Sequence, residues 1–252
     1  MRKKVTIKNM TVFYQQFGQG KPLLLLHGWQ KSAKDYRVLG GHLAKKFLVV
    51  IPDLPGFGQT CLPDGIWGVP DYALWVESFV AQLGWKEYYL LGHSFGGRIA
   101  LQLGANQPPG LKKLILSGVP ILRKSFIKRA LFFLGAKTLR VLLLVPPFIF
   151  FKKTLQKAGF FLAGDKDYSQ TSGQHRKIFK RIISYTLPDK ITARFPPTLL
   201  LWGEKDSFVP LKNGQSLAKR IPRARLVSIP GTHKLPYEDP KQFSKEVFKF
   251  LK

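Results

Sequence analysis

The sequence predicts an α/β fold: a mainly parallel sheet of eight strands, flanked by helices and interrupted by one helical insertion. Three observations predict it. Short apolar runs bounded by turn residues recur along the chain, as strands buried on both faces require. Stretches of helical spacing alternate with those runs. The rhythm stops near residue 119 and resumes near residue 192, with a basic, aromatic stretch between.

The elements follow in order. Lys4 to Lys8 and Thr11 to Phe17 alternate like a paired hairpin. Pro22 to Leu26 is the first fully apolar run and ends at His27-Gly28. Helical spacing occupies Ala33 to Lys45, and a second run, Phe47 to Ile51, ends at Pro52-Asp53. A helix over Val69 to Leu83 precedes a strand at Glu87 to Leu91, a helix from Phe95 to Asn106 and a strand at Leu111 to Leu116. Beyond the break, Thr198 to Trp202 and Arg225 to Ile229 are the last strands. The final helix starts at Asp239-Pro240, with an N-cap aspartate, proline in the first turn and Gln242 three residues after the cap. This gives a core of residues 1–119 and 192–252 and a helical insertion over 120–191.

Charge sets the chain apart. Its 252 residues carry 41 Lys+Arg against 14 Asp+Glu, a formal net charge of +27. Such a balance attracts polyanions and anionic membrane surfaces, though a generally basic cytoplasm would also produce it. Residues 121–190 are basic as well, with 15 Lys+Arg against three acids, among many phenylalanines. The single cysteine, Cys61, excludes an intramolecular disulfide and suits a reducing compartment. The N-terminal Met1-Arg2-Lys3-Lys4 leads into an alternating strand and not an apolar signal core. The longest apolar run, Val141 to Phe151, is too short to span a bilayer and contains Pro146-Pro147. Cytoplasmic residence is the expectation.

The chemistry centres on Gly92-His93-Ser94-Phe95-Gly96-Gly97. Gly-x-Ser-x-Gly between a strand and a helix is the pattern of a nucleophile elbow, a sharp turn that lifts the serine hydroxyl above the sheet. Gly92 and Gly96 lack a Cβ and let strand and helix approach. The helix behind Ser94 points its positive end at the site. A glycine-rich turn can carry a serine by chance, but the flanking strand and helix speak against that here.

A serine needs a base. His93 adjoins Ser94, yet its side chain diverges at such a turn, so packing is its expected role. His42 falls on a surface helix, His175 in the insertion, and His27 at a strand end where a structural hydrogen bond is expected. His233, in Pro230-Gly231-Thr232-His233 after the last strand, stands at the carboxyl edge of the sheet with Ser94 and is the expected base. The orienting acid must lie on the same edge, between serine and histidine in the chain. Gly203-Glu204-Lys205-Asp206 offers Glu204 and Asp206. The oxyanion of an acyl-transfer step would be met by the backbone N–H of Phe95 and, most simply, that of Trp29 in the loop after His27-Gly28.

These pieces together resemble the α/β-hydrolase superfamily, in its esterase and carbon–carbon-hydrolase-like branch. The resemblance is carried by Leu26-His27-Gly28-Trp29, Asp53-Leu54-Pro55-Gly56-Phe57-Gly58, Gly92 to Gly97, Trp202 to Asp206 and Gly231-Thr232-His233, and spans nearly all of the chain except the insertion. It implies that Asp206 is the acid of a Ser94–His233–Asp206 triad and that 120–191 is a substrate-selecting cap. It also implies an acyl-enzyme mechanism without metal or organic cofactor. Ser94 stands where haloalkane dehalogenases and epoxide hydrolases of this fold carry aspartate. Gly28-Trp29-Gln30-Lys31 replaces the glycine-rich segment common in proline iminopeptidases and ring-cleavage hydrolases.

The expected function is hydrolysis of carboxylic esters of apolar small molecules. A lactone, a lipid or a diketone carbon–carbon bond is the alternative for the same triad, and a non-catalytic ligand-binding receptor is a further one. Nucleic acid is suggested by charge alone, without a recognition motif, and no specific nucleic-acid partner is expected. The basic cap is expected to associate weakly with anionic membranes. Oligomeric state is not legible.

Overall fold

The computed structural model describes residues 1–121, 173–186 and 191–252. The chain divides into two compact units, Met1–Ile121 with Arg181–Lys252, and Leu122–Lys180. Most of the expected cap lies outside the described residues. Its described part includes an amphipathic helix, α4, Gly173–Ile183, in which Ile178 and Phe179 are buried.

The first unit holds one sheet of eight strands, β1 Arg2–Ile7, β2 Met10–Phe17, β3 Lys21–Leu26, β4 Phe47–Pro52, β5 Tyr88–His93, β6 Leu111–Ser117, β7 Thr198–Gly203 and β8 Ala224–Ile229. Its order is β1-β2-β4-β3-β5-β6-β7-β8. The pairs β1–β2 and β2–β4 are antiparallel and the rest are parallel. β5 and β7 are buried along their whole length, which explains why they read as unbroken apolar runs. Leu23 to Leu26 are wholly buried, at about 2 kcal/mol for each leucine side chain. The edge strand β1 alternates instead and turns Arg2 and Lys4 outward, as suits an edge that must not pair with another chain.

Around the sheet lie α1 Arg37–Leu43, α2 Val69–Gln82, α3 Phe95–Asn106, α5 Lys212–Arg220, α6 Leu235–Glu238 and α7 Pro240–Leu251. The stretch read as one helix over Ala33 to Lys45 is a 3₁₀ turn, Ala33–Tyr36, followed by α1. Ser32 and Asp35 close a capping box that holds that first turn apart. The expected start of the last helix is as observed, with Asp239 Oδ1 accepting from Gln242 N at 2.9 Å. Helices α5 and α6 had no expectation; α5 is short and mostly polar, and α6 is a single turn containing Pro236.

The register fixes where the chemistry can happen. Leu26 pairs with Gly92, His93 with Ser117, and Gly203 with Ile229. The loops after β3, β5, β6, β7 and β8 therefore leave the sheet at the same edge, the usual place for a ligand site in a parallel sheet.

Candidate active site

Ser94 sits between β5 and α3 with φ 52° and ψ −110°, a conformation that a serine adopts only under constraint. The constraint is visible in the bonds around it. Ser94 N donates to Ser117 O at 2.9 Å, Gly96 N to His27 O at 3.1 Å and Arg98 N to Ser94 O at 3.1 Å. The glycines make the turn possible. A Cβ on Gly92 would strike the Gly96 carbonyl, and one on Gly96 would strike the Leu26 carbonyl. Phe95 opens α3, where no carbonyl of its own helix can reach its N–H.

The structure brings Ser94, His233 and Asp206 together. Ser94 Oγ lies 3.2 Å from His233 Nε2, and His233 Nδ1 lies 2.8 Å from Asp206 Oδ2. The Asp206 side chain is 1% exposed and that of His233 is 19%. Asp206 Oδ1 accepts from Val209 N at 2.7 Å, so both carboxylate oxygens are engaged. The loop carrying Asp206 is pinned in turn. Trp202 Nε1 donates to Val209 O at 2.9 Å, and Lys205 N donates to Gly231 O at 2.9 Å. Glu204, the other acid open to sequence reading, is exposed. The turn before the base is held by Glu238, which accepts from Thr232 N at 3.1 Å and from Thr232 Oγ1.

His27 is structural in its contacts. Leu54 N donates to its Nε2 at 3.0 Å, which requires that nitrogen to be unprotonated, so Nδ1 carries the proton and donates to Gly28 O at 2.8 Å. Burial pushes its pKa down to about 4. Gly28 packs against Ser94 and His93, and its N–H is taken by Tyr36 Oη at 3.2 Å. The next residue, Trp29, packs its ring against Phe57 and Phe95, with centroids 4.9 and 5.6 Å away. Those ring contacts anchor the loop whose backbone N–H is the candidate second oxyanion donor.

Several residues of this neighbourhood carried no signal in the sequence. Gly118 follows β6 with φ 57°, and a Cβ there would stand 2.8 Å from His233 Cε1. Phe208, about half exposed, places its ring 4.9 Å from that of His233. Tyr36 and Tyr237 share a 2.5 Å hydrogen bond across 201 positions of sequence. The bearing of Gly118 on a histidine 115 positions later is a matter of folding, not of local pattern.

Comparison with known proteins places these features in context. The alpha/beta hydrolase family matches residues 23–246 of the chain. Over 107 residues, 42% of this chain and 41% of the other, the sequence is 38% identical to a pimeloyl-[acyl-carrier protein] methyl ester esterase of Aeromonas salmonicida. It is 28% identical to a 2-hydroxy-6-oxo-6-phenylhexa-2,4-dienoate hydrolase of Burkholderia cepacia, across 97% of this chain and 92% of that one. In fold it is similar to a thermophilic esterase from Thermogutta terrifontis, with a TM-score of 0.72, 23% identity, and coverage of 100% and 98% of the two chains.

Proposed function

The chain belongs to the alpha/beta hydrolase family, and on that premise we propose that it is a serine hydrolase of carboxylic esters of apolar small molecules. The observation that carries the reading is the hydrogen-bonded series Ser94 Oγ, His233 Nε2, His233 Nδ1 and Asp206 Oδ2, at 3.2 and 2.8 Å. In this mechanism Ser94 Oγ attacks the ester carbonyl carbon while its proton passes to His233 Nε2. Asp206 holds the other ring nitrogen and stabilises the imidazolium. The N–H groups of Trp29 and Phe95 receive the oxyanion, each worth about 3 kcal/mol. Collapse expels the alcohol, which takes the proton from His233. Water then gives a proton to His233, attacks the acyl-enzyme and releases the acid, and Ser94 regains its proton.

Apolar substrates suit a site whose base is flanked by the half-exposed ring of Phe208, 4.9 Å from that of His233. The esterase relative from Aeromonas supports the ester bond, and the dienoate hydrolase from Burkholderia supports a carbon–carbon bond next to a ketone as the second reading. A panel of p-nitrophenyl esters, lactones and a vinylogous diketone, run on wild type and Ser94→Ala, separates them. Ester turnover that Ser94→Ala reduces to background is the expected result. Turnover of the diketone alone would select the second reading, and hydrolysis equal in wild type and variant would remove both.

The charge supports an anionic partner: 41 Lys+Arg against 14 Asp+Glu leave a net +27. Vesicles with anionic headgroups are therefore expected to retain the protein at low salt and release it at about 0.5 M salt, where screening acts within a few ångströms. Retention indifferent to headgroup charge or salt would refute this. Helices of the described residues include none long and apolar enough to cross a membrane.

A further inference from the structure

His93 is buried at 2% exposure, and the Ser117 backbone is a hydrogen-bonding neighbour of its ring. Burying an imidazole costs more than burying an apolar ring of its size, so a fold that keeps one there has a use for its polarity. The surroundings indicate the use. The His93 ring centroid lies 4.9 Å from that of His233, tilted by 42°. Gly118 leaves the space in which the two rings meet, since a Cβ there would stand 2.9 Å from His233 Nδ1 and 3.3 Å from His93 Cε1. Tyr237 packs edge-on to His93 at 5.9 Å, and Tyr36 lies 6.3 Å away. The hydrogen bond between the two tyrosines ties these walls together, and Tyr36 Oη also holds the Gly28 N–H.

The two hydrogen bonds of His233 run to Ser94 and Asp206 and restrain its ring in its own plane. They restrain its tilt poorly. Ring contacts from outside the plane do that, and among the described residues His233 has two, the exposed Phe208 and the buried His93. A small error in tilt moves Nε2 off the line to Ser94 Oγ and slows proton transfer without altering substrate binding.

We propose that His93 is a positioning residue for the base: a polar, uncharged wall, clamped by Tyr36 and Tyr237, that sets the tilt of His233 and lies beside the imidazolium formed during turnover. The inference rests on the serine-hydrolase reading above. Burial and the neighbouring His233 hold the His93 pKa well below the usual histidine range, so the wall stays neutral while its neighbour charges.

The experiment compares wild type, His93→Phe and His93→Gln by fluorophosphonate labelling of Ser94, by kcat and KM on a p-nitrophenyl ester, and by thermal melting. In His93→Phe, kcat and the labelling rate are expected to fall about 10- to 100-fold with KM unchanged. His93→Gln, which keeps a neutral polar group, is expected to recover part of that loss. If His93→Phe does not fold, His93→Gln alone decides: a lower kcat at unchanged KM supports the inference, and wild-type rates refute it. Both variants labelling and turning over like wild type would overturn the role of His93 and leave the hydrolase intact. A wild-type protein that neither labels nor hydrolyses would overturn the hydrolase reading itself, and this inference with it.

Discussion

Asp206→Asn is expected to lower kcat by about 10⁴-fold while leaving the melting temperature close to that of wild type. The reason lies in the partners of the two carboxylate oxygens. Oδ1 accepts from Val209 N and Oδ2 accepts from His233 Nδ1–H. An amide at this position has one acceptor and one donor. Val209 N–H claims the acceptor, because a backbone N–H cannot reverse its role. The amide NH₂ then faces His233 Nδ1, which must give up its proton and become an acceptor. The proton moves to Nε2, the atom that has to accept from Ser94 Oγ. The side chains keep their places and the base is in the wrong tautomer. Glu204→Gln, two residues away and exposed, is the control and is expected to leave kcat unchanged. Ester turnover by Asp206→Asn within about tenfold of wild type would mean that Asp206 does not orient the base.

Acid is expected to destabilise the fold sooner than its few carboxylates would suggest. In the unfolded chain the His27 imidazole takes up a proton near its ordinary pKa of 6.5, whereas burial delays this in the folded chain to about 4. Between these values the unfolded state binds more protons. The stability His27 contributes is therefore complete above pH 6.5 and is lost as pH falls toward 4. The size is about 3 kcal/mol at the acid end. His93, also buried and held well below the usual range, adds in the same direction. The local cause at His27 is specific: a proton on Nε2 would face the Leu54 N–H that now donates to it. Urea midpoints between pH 7.5 and 4 should fall steeply for wild type and less steeply for His27→Gln. Equal slopes in the two proteins would show that His27 is not the titrating group.

Much of the fold was legible because it is local. Leu23 to Leu26 or Leu90 to Gly92 can lie only where both faces are covered, and such runs announce themselves by composition. The elbow at Ser94 was legible for a similar reason. Glycines at 92 and 96 are needed by a turn a few residues long, so the sequence signal and its physical cause occupy the same window. Errors came where local spacing could not see a competing bond. The Ser32–Asp35 capping box turned one expected helix into a 3₁₀ turn and a shorter helix. The polar α5 and the one-turn α6 left no apolar period long enough to read.

The sequence by itself determined the class of fold, the serine, and the two loops from which a base and an acid could come. Each depends on short-range pattern and on chain order along a parallel sheet. Resemblance pointed to Asp206 over Glu204; only the tertiary structure shows Asp206 Oδ2 2.8 Å from His233 Nδ1, a contact across 27 positions of sequence, with Glu204 exposed. Tertiary structure also decided what surrounds the base: the space left by Gly118, the ring of Phe208, and His93 against Tyr36 and Tyr237. Those neighbours meet only when five strand ends reach one edge of the sheet. The insertion expected over 120–191 was read from the break in strand rhythm and from charge and aromatic content, and its role as a cap from resemblance; composition describes a surface without its shape. A pocket selects by three-dimensional fit, which composition does not carry.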